Sequence, residues 1–133
     1  MYFLLKQYCK GQYICSNGDI YSGDFNLGKK HGYGVLQQKN NASYQGEWEN
    51  DKYNGQGILT KEDGTSFQGT FLDNLLNIYE KSIIKYTNGD NYTGQVSNEL
   101  PEGQGVFKYN NGDVLEGIFH EGKIKEKLWF CGE

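Results

Sequence analysis

The chain contains no arginine: all thirteen of its basic residues are lysines, and its net charge is −4. Arginine is the side chain that best matches phosphate groups and base edges with two parallel hydrogen bonds. Its absence predicts that nucleic acid is not a partner. The acidic balance also opposes attraction to anionic lipid, so membrane lipid is a disfavoured partner. The two small lysine groups are predicted to be solvated surface charge: Lys29-Lys30 and Lys123, Lys125, Lys127.

Long apolar runs are missing too. Residues 1–5 form an apolar stretch that is too short for a secretory signal, and no stretch reaches the roughly 18–20 apolar residues of a membrane-spanning helix. The three cysteines, Cys9, Cys15 and Cys131, are odd in number and lack a zinc-like spacing. These absences predict free thiols, a cytoplasmic location, and neither a bound metal nor any other cofactor.

Glycine and aromatic residues are abundant instead, with 19 glycines, 11 tyrosines, 7 phenylalanines and 2 tryptophans. Many fall into a recurring unit whose clearest copy is Tyr44-Gln45-Gly46-Glu47-Trp48, followed by Gly55-Gln56-Gly57. Spacings of 23, 23, 25 and 23 residues between the central glycines indicate an array of structural repeats. The central glycines of repeats 1 to 5 are, in order, Gly23, Gly46, Gly69, Gly94 and Gly117.

A turn signal precedes each central glycine by five residues. The pairs are Asn17-Gly18, Asn40-Asn41, Asp63-Gly64, Asn88-Gly89 and Asn111-Gly112. Such pairs favour type I′ hairpin turns, because both residues tolerate positive φ. Each repeat is therefore predicted to be one β-hairpin, with a short apolar first strand and an aromatic second strand. The Gly-x-Gly pair is predicted to form the turn to the next hairpin.

This pattern resembles the MORN-repeat family, whose unit is Tyr-x-Gly-x-Trp followed by Gly-x-Gly at the period seen here. The resemblance covers nearly the whole chain, and repeat 2 matches the unit closely. It implies an all-β fold: an elongated, single-layer antiparallel sheet of about five stacked hairpins. Residues 1–133 would then form one domain. Its parts would be a partial repeat (1–11), five repeats (12–34, 35–57, 58–80, 81–105 and 106–128) and a closing strand (129–133).

Alternation along a strand places the two aromatic residues and the central glycine of each unit on one face of the sheet. We predict a row of large side chains there. Two interpretations are open: these rings are only a core between neighbouring hairpins, or they also line a partner-binding groove. A single-layer sheet would leave the row uncovered, and exposed aromatic patches mark interfaces. The row consists of Tyr21, Phe25, Tyr44, Trp48, Phe67, Phe71, Tyr92 and Phe119.

Repeat 3 departs from the pattern. Two extra residues lie between Phe71 and Gly89, and residues 72–81 replace the expected Gly-x-Gly. One interpretation is a wider connection whose leucines pack on the sheet. The other is a projecting contact loop, because loops that depart from a regular scaffold often carry recognition. The apolar side chains of this loop are Leu75, Leu76, Ile78 and Tyr79.

No catalytic site is predicted, because His31 and His120 lie in different repeats and no Ser-His-Asp or Cys-His grouping is in register. We expect a non-enzymatic scaffold that binds a peptide, a helix or another repeat surface along the aromatic groove. The resemblance implies a cytoskeletal assembly, such as a ciliary axoneme or its radial spokes. It leaves open a phospholipid-binding membrane tether and a regulatory segment of a larger enzyme. Exposed end strands would also allow edge-to-edge contacts in a larger assembly.

Overall fold

The computed structural model describes the backbone of residues 8–132 and the side chains of residues 11–132. Residues 1–7 of the predicted partial repeat, and residue 133 of the predicted closing strand, lie outside this range. The described chain forms twelve strands: β1 (Tyr8–Ile14), β2 (Ile20–Asn26), β3 (Lys29–Gln37), β4 (Ser43–Glu49), β5 (Lys52–Thr60), β6 (Ser66–Leu72), β7 (Leu75–Leu76), β8 (Ser82–Lys85), β9 (Asn91–Ser97), β10 (Leu100–Lys108), β11 (Val114–His120) and β12 (Lys123–Cys131).

The strands form one open antiparallel sheet in which neighbouring strands follow one another in chain order. The two-residue β7 pairs with β6, and β8 continues the sheet from β6 to β9. Five aromatic strands carry the repeat units, namely β2, β4, β6, β9 and β11. Each aromatic strand is followed in the chain by an antiparallel neighbour. We call β3, β5, β10 and β12 the following strands. After β6, the two short strands β7 and β8 together take the place of a following strand. No helix occurs within the described range. This architecture confirms the predicted all-β sheet of hairpins.

The asparagine-glycine signals mark hairpin turns, but the turns are not of type I′. At the first of them φ is positive at Gly18 (96°) and not at Asn17. The Gly18 amide donates to the Cys15 carbonyl at 2.9 Å, and the Asp19 amide donates to Asn17 Oδ1 at 3.0 Å. This is a three-residue loop in which a turn is followed by one left-handed residue. The asparagine therefore serves as a hydrogen-bond acceptor for the backbone two residues on.

The prediction that Gly-x-Gly forms the connecting turn is wrong, because these glycines lie inside the following strands. Gly55 and Gly57, for example, both fall within β5. The chain turns earlier, at two-residue turns in which both residues have positive φ, as type I′ requires. The turn pairs are Leu27-Gly28, Asn50-Asp51, Asp73-Asn74, Asn98-Glu99 and Glu121-Gly122. As a result, the predicted closing strand also begins earlier than residue 129: β12 starts at Lys123 and pairs with β11.

A row of glycines crosses the sheet where neighbouring strands pair. The register aligns two sets of glycines, one on strands β1 to β6 and one on strands β9 to β11. The first set is Gly11, Gly23, Gly34, Gly46, Gly57 and Gly69, and the second is Gly94, Gly105 and Gly117. Register shifts that mark β-bulges lie beside this row in β2–β3, β4–β5 and β9–β10. Because glycine has no side chain and bulges bend a strand, the sheet can curve sharply along this line.

One ion pair shows how far the sheet curves. Lys61 lies just beyond the end of β5, and Glu99 lies just before the start of β10. These two strands run in the same direction, so the two residues belong to opposite ends of strands that would measure about 30 Å if straight. Yet Lys61 Nζ and Glu99 Oε2 are 2.8 Å apart. The two ends of the strands therefore approach each other across the aromatic face and partly enclose it.

The enclosed face holds the core in two clusters. One contains Tyr21, Tyr44, Trp48 and Phe71. The other contains Phe67, Ile84, Tyr92, Val96, Leu115 and Phe119. Leu59 and Leu76 are half-buried and pack against both clusters. The core is therefore a band along one face of the sheet, and the clusters meet at repeat 3.

Candidate functional site

The eight side chains predicted to line a groove lie together on the enclosed face. Seven of them are buried, and Phe25 is half-buried. The expectation that a single-layer sheet leaves this face open is therefore corrected. Curvature along the glycine row lets the rings cover one another, so they form the core of the molecule. Any surface available to a partner lies at the rim of this core or outside it.

Three tyrosines explain why glycine is needed in the row. The Tyr44 hydroxyl donates to the Glu47 carbonyl at 2.9 Å, so the ring lies flat along its own strand. A β-carbon on Gly57 of the neighbouring strand would overlap this hydroxyl. The same arrangement recurs with Tyr21 beside Gly34 and with Tyr92 beside Gly105. The second glycine of Gly-x-Gly is thus the place where a tyrosine ring crosses the backbone.

Trp48 ties two repeats together. Its ring meets the rings of Tyr21 and Tyr44 edge-on, with centroids 5.3 and 5.1 Å apart, and its indole Nε1 donates to the Gly34 carbonyl at 3.0 Å. Tyr53, which the sequence analysis did not single out, stacks on Tyr44 at 3.9 Å with an angle of 7° between the rings. Edge-on and stacked contacts of this kind add to the free energy of burial. The repeat unit gives no signal for Tyr53, because the equivalent position holds Lys30 in the preceding copy and Pro101 in a later one.

Burial changes the acidity of these tyrosines. Desolvation, reinforced by the charge of Asp24, raises the pKa of Tyr21 to about 12. Desolvation also raises the pKa of Tyr92 to about 12 and raises the pKa of Tyr44. The folded state therefore holds these phenolic protons more tightly than the unfolded state, whose tyrosines ionise near pH 10.0.

We expect the protein to unfold in alkaline solution as these tyrosines ionise. A raised folded-state pKa contributes stability that is fully present below pH 10 and is lost as the pH rises to about 12. Circular dichroism and ultraviolet absorbance of tyrosinate, followed together through this range, check the expectation. The loss of β-structure should coincide with ionisation of the buried tyrosines. Ionisation of all eleven tyrosines below pH 10 with intact β-structure would contradict it.

Repeat 3 replaces the tyrosine–glycine contact with another pair. Phe67 stands where the tyrosine would be, and Ser82 stands in the glycine row, where the register places it between Gly69 and Gly94. The carbonyl that a tyrosine hydroxyl would bond is that of Thr70, and it accepts the Asn77 amide at 2.8 Å instead. Ser82 is 1 % exposed, and its Oγ has no hydrogen-bond partner among the described residues. Phenylalanine and serine therefore share the space that tyrosine and glycine fill elsewhere.

A double-mutant cycle tests this exchange. Phe67→Tyr alone should lower the free energy of unfolding by about 1–3 kcal/mol, because its hydroxyl is driven against Ser82. Ser82→Gly alone should lower it by about 1 kcal/mol, through the space left and the added backbone freedom. The double variant restores the regular pair, so its loss should be smaller than the sum by at least about 1 kcal/mol. Urea unfolding of the four proteins gives the numbers, and strict additivity would refute the pairing.

The contact loop, residues 72–81, carries the most exposed apolar side chains of the described chain. Tyr79 is 84 % exposed and Leu75 is 72 % exposed, whereas Ile78 is 45 % exposed and Leu76 is half-buried against the core. Packing of Leu76 agrees with the interpretation of a wider connection, and the exposed side chains leave the interpretation of a contact loop as a prediction. Leu76 packs on the sheet, where it pairs with Phe71 through β7, whereas Leu75, Ile78 and Tyr79 are exposed.

One histidine–carboxylate contact lies at the surface of the described range. His120 Nδ1 lies 3.0 Å from Glu102 Oε2 at the surface, and this hydrogen bond raises the pKa of His120. No group of three or more His, Cys, Asp or Glu residues in residues 8–132 is placed to hold a metal ion. The same range includes no helix with the length and apolar character that a membrane crossing requires.

These features define a β-hairpin repeat protein whose repeats interlock through tyrosines and glycines. The MORN repeat model matches residues 21–43, 44–66 and 92–114, which together make up just over half of the chain. The chain therefore belongs to the MORN-repeat family, a family of non-catalytic modules that bind proteins or membrane lipids. No curated protein matches it. The matched stretches begin at Tyr21, Tyr44 and Tyr92, the three tyrosines that cross the glycine row.

Proposed function

We propose that the chain is a non-enzymatic scaffold that binds a protein partner through its contact loop. The observation that carries this proposal is that the contact loop holds the two most exposed large apolar side chains of the described range, Tyr79 and Leu75. Leu72, at 59 % exposure, extends the apolar surface formed by Leu75, Ile78 and Tyr79. Large apolar side chains gathered in one short exposed segment favour a protein interface.

Charge supports a protein partner over a lipid surface. The chain is acidic overall, and the contact loop includes Asp73 and Glu80 beside a single lysine, Lys81. An anionic membrane would repel such a segment rather than attract it. In this proposal the rings of the predicted aromatic groove mainly stabilise the sheet. Half-buried Phe25 is the part of the row that reaches the surface and could contact a partner.

We also propose that the scaffold works in the cytoplasm as part of a cytoskeletal assembly, such as a ciliary axoneme. Support for this location comes from the family resemblance and from a lysine- and asparagine-rich, arginine-free composition. Imaging of a fluorescently tagged chain in its native cells tests the location. A tag that is excluded from cytoskeletal structures would remove this part of the proposal.

The function is tested by a loop variant, Leu75→Ser with Tyr79→Ser. Both side chains are largely exposed, so the fold should survive, and capture of the native partner should fall about tenfold or more if these residues anchor it. Ile14→Ser is the control, because Ile14 is 66 % exposed on β1, far from the loop. Affinity capture from native cells, followed by mass spectrometry, compares the three proteins.

Three outcomes would count against the proposal. The first is that no captured protein depends on the loop residues. In the second, the control loses the same proteins as the loop variant. In the third, the wild type sediments with vesicles of anionic phospholipid at physiological salt, which would favour lipid binding instead.

A further inference from the structure

The strand that follows β6 is interrupted, and this leaves an opening inside the sheet. In the regular repeats the following strands β3, β5 and β10 each run unbroken for nine residues. After β6, the chain forms the two-residue β7, leaves the sheet over residues 77–81 and returns as the four-residue β8. We call the opening between β7 and β9 the slot.

One side of the slot is formed by backbone groups of β9. The outer apolar residue of every other aromatic strand pairs with a residue on the preceding strand: Phe25 with Cys9, Trp48 with Gly32, Phe71 with Gly55 and Phe119 with Gly103. Val96 is the equivalent residue of β9. The ladder between β8 and β9 ends at Ser82 and Gly94, so within the described range β8 offers Val96 no partner.

The direction of the Val96 backbone follows from the turn beside it. Ser97 pairs with Leu100 across the two-residue turn, so the backbone groups of Ser97 point toward β10. Amide and carbonyl groups alternate sides along a strand. The amide and carbonyl of Val96 therefore point into the slot, where an added strand could bond them.

The opposite side of the slot is formed by β7. In three regular repeats, a backbone hydrogen bond joins the start of the following strand to the next turn: Asp51 to Lys30, Asn74 to Tyr53 and Gly122 to Pro101. The equivalent residues here are Leu76 and Glu99, and no such bond joins them in the described structure. The sheet is thus open along both the β7 side and the β9 side of the slot.

An apolar cavity of about 330 Å³ occupies this opening. Phe67, Phe71, Leu76 and Val96 are among its lining residues, and Glu99 is its one charged residue. Leu76, which holds the position of Tyr53 in the preceding repeat, is smaller than the tyrosine ring that stacks there on Tyr44. The cavity is therefore shaped for one large apolar side chain carried on an extended backbone.

Acidic residues surround a neighbouring cavity that shares Phe67 and Glu99 with the first. Its charged lining consists of Lys61, Glu62, Asp63 and Glu99. Lys61 is paired with Glu99 at 2.8 Å, which leaves Glu62 and Asp63 as excess negative charge. A basic side chain beside the apolar anchor would complement this edge.

We propose that the slot binds a short extended peptide segment of a protein partner, which adds to β9 as a strand. The segment places one aliphatic or aromatic side chain in the cavity between Leu76 and Val96, and a lysine or arginine near Glu62 and Asp63. Its backbone bonds the amide and carbonyl of Val96, as Gly32 pairs with Trp48 in repeat 2. Strand addition of this kind takes affinity from main-chain bonds and specificity from alternate side chains. The proposal rests on the protein-binding function proposed above and specifies how the partner is held.

The experiment uses a closed variant as its matched control. Residues 73–82 are replaced by the sequence of residues 50–57, which forms the turn and the first part of the unbroken strand β5, and Phe67→Tyr supplies the regular ring. A phage-displayed library of random linear peptides is selected on the wild type and counter-selected on the closed variant. The selected peptides should share one large apolar residue with a lysine or arginine near it, and they should bind the closed variant at least about tenfold more weakly.

A backbone test follows with one synthetic selected peptide. Methylation of its amide nitrogens at every second position should weaken binding about tenfold, whereas methylation at the intervening positions should change it little. Hydrogen exchange of the Val96 amide should slow in the complex. If the closed variant does not fold, these two measurements alone test whether the peptide adds to β9 as a strand.

The proposal would be overturned if the library gives no peptide that binds the wild type, or if the closed variant binds the selected peptides equally well. It would also be overturned if methylation at the two sets of positions changes the affinity equally. Binding that instead disappears in the Leu75→Ser, Tyr79→Ser variant while methylation has no effect would also overturn it. That last result would leave the proposed protein-binding function standing, with the exposed loop alone as its contact.

Discussion

Gly46→Ala is expected to lower the free energy of unfolding by about 3 kcal/mol, the upper part of the range for overpacking. A β-carbon at this position would overlap the Gln56 carbonyl oxygen and the Gly57 Cα, and it would lie 2.9 Å from the Tyr44 hydroxyl. Two of these obstacles are backbone atoms of the paired strand, which cannot rotate away. Since small domains are stable by only about 5–15 kcal/mol, a large part of the stability would be lost.

The matched control for this variant is Gly11→Ala. Gly11 lies in the same glycine row, but among the described side chains a β-carbon there would meet Phe25 Cε2 alone, at an ordinary 3.7 Å. We expect its midpoint in urea, followed by circular dichroism, to stay close to that of the wild type. Equal midpoints for the two variants would show that the glycine row is not required for close packing of strands.

Trp48→Ala should lower the free energy of unfolding by about 3–5 kcal/mol, the usual cost of deleting a buried tryptophan. The substitution removes the edge-on contacts with Tyr21 and Tyr44 and leaves the Gly34 carbonyl without its indole donor. Trp48 is only 4 % exposed, so the first effect of its loss is on folding and not on a binding surface. Thermal and urea unfolding measure the change.

Trp129→Ala provides the comparison, because it removes the same side chain from β12, where Trp129 is 54 % exposed. Its effect on the free energy of unfolding should be within about 1 kcal/mol, as for most surface changes. A folded Trp48→Ala protein with wild-type stability would mean that the aromatic row is not the core. In that case its role would have to be sought in partner contacts after all.

Much of the fold could be predicted because local rules and the repeat period agreed. The spacing of central glycines such as Gly46 located the aromatic strands, and the asparagine pairs located one set of hairpin turns. The type of those turns and the position of the other set were missed. This second set has no common sequence signature, because pairs such as Leu27-Gly28 and Asn98-Glu99 place leucine and glutamate, which rarely adopt positive φ, in the turns.

Curvature could not be predicted, because it depends on which residues face each other across strands. Gly34 alone is an ordinary strand glycine; opposite Gly23 and Gly46 it becomes part of a line along which the sheet bends. The openness of the aromatic face was misjudged for the same reason, since the rings are covered by the curvature that brings Lys61 to Glu99. The slot could not be foreseen either, because the loop's extra residues do not reveal which backbone groups lose their partners.

The interruption after β6 also weakens the interface between the two halves of the repeat array. The stability of a repeat array is approximately a sum of terms for single repeats and for the interfaces between neighbours. The ladder of β6 with β8 reaches only from Ser66 to Gln68, whereas the ladder of β5 with β6 extends from Gly55 to Thr60. This weak interface falls where the two core clusters meet. We therefore expect the chain to unfold as two cooperative units, with a fluctuation that opens one half stopping at this interface.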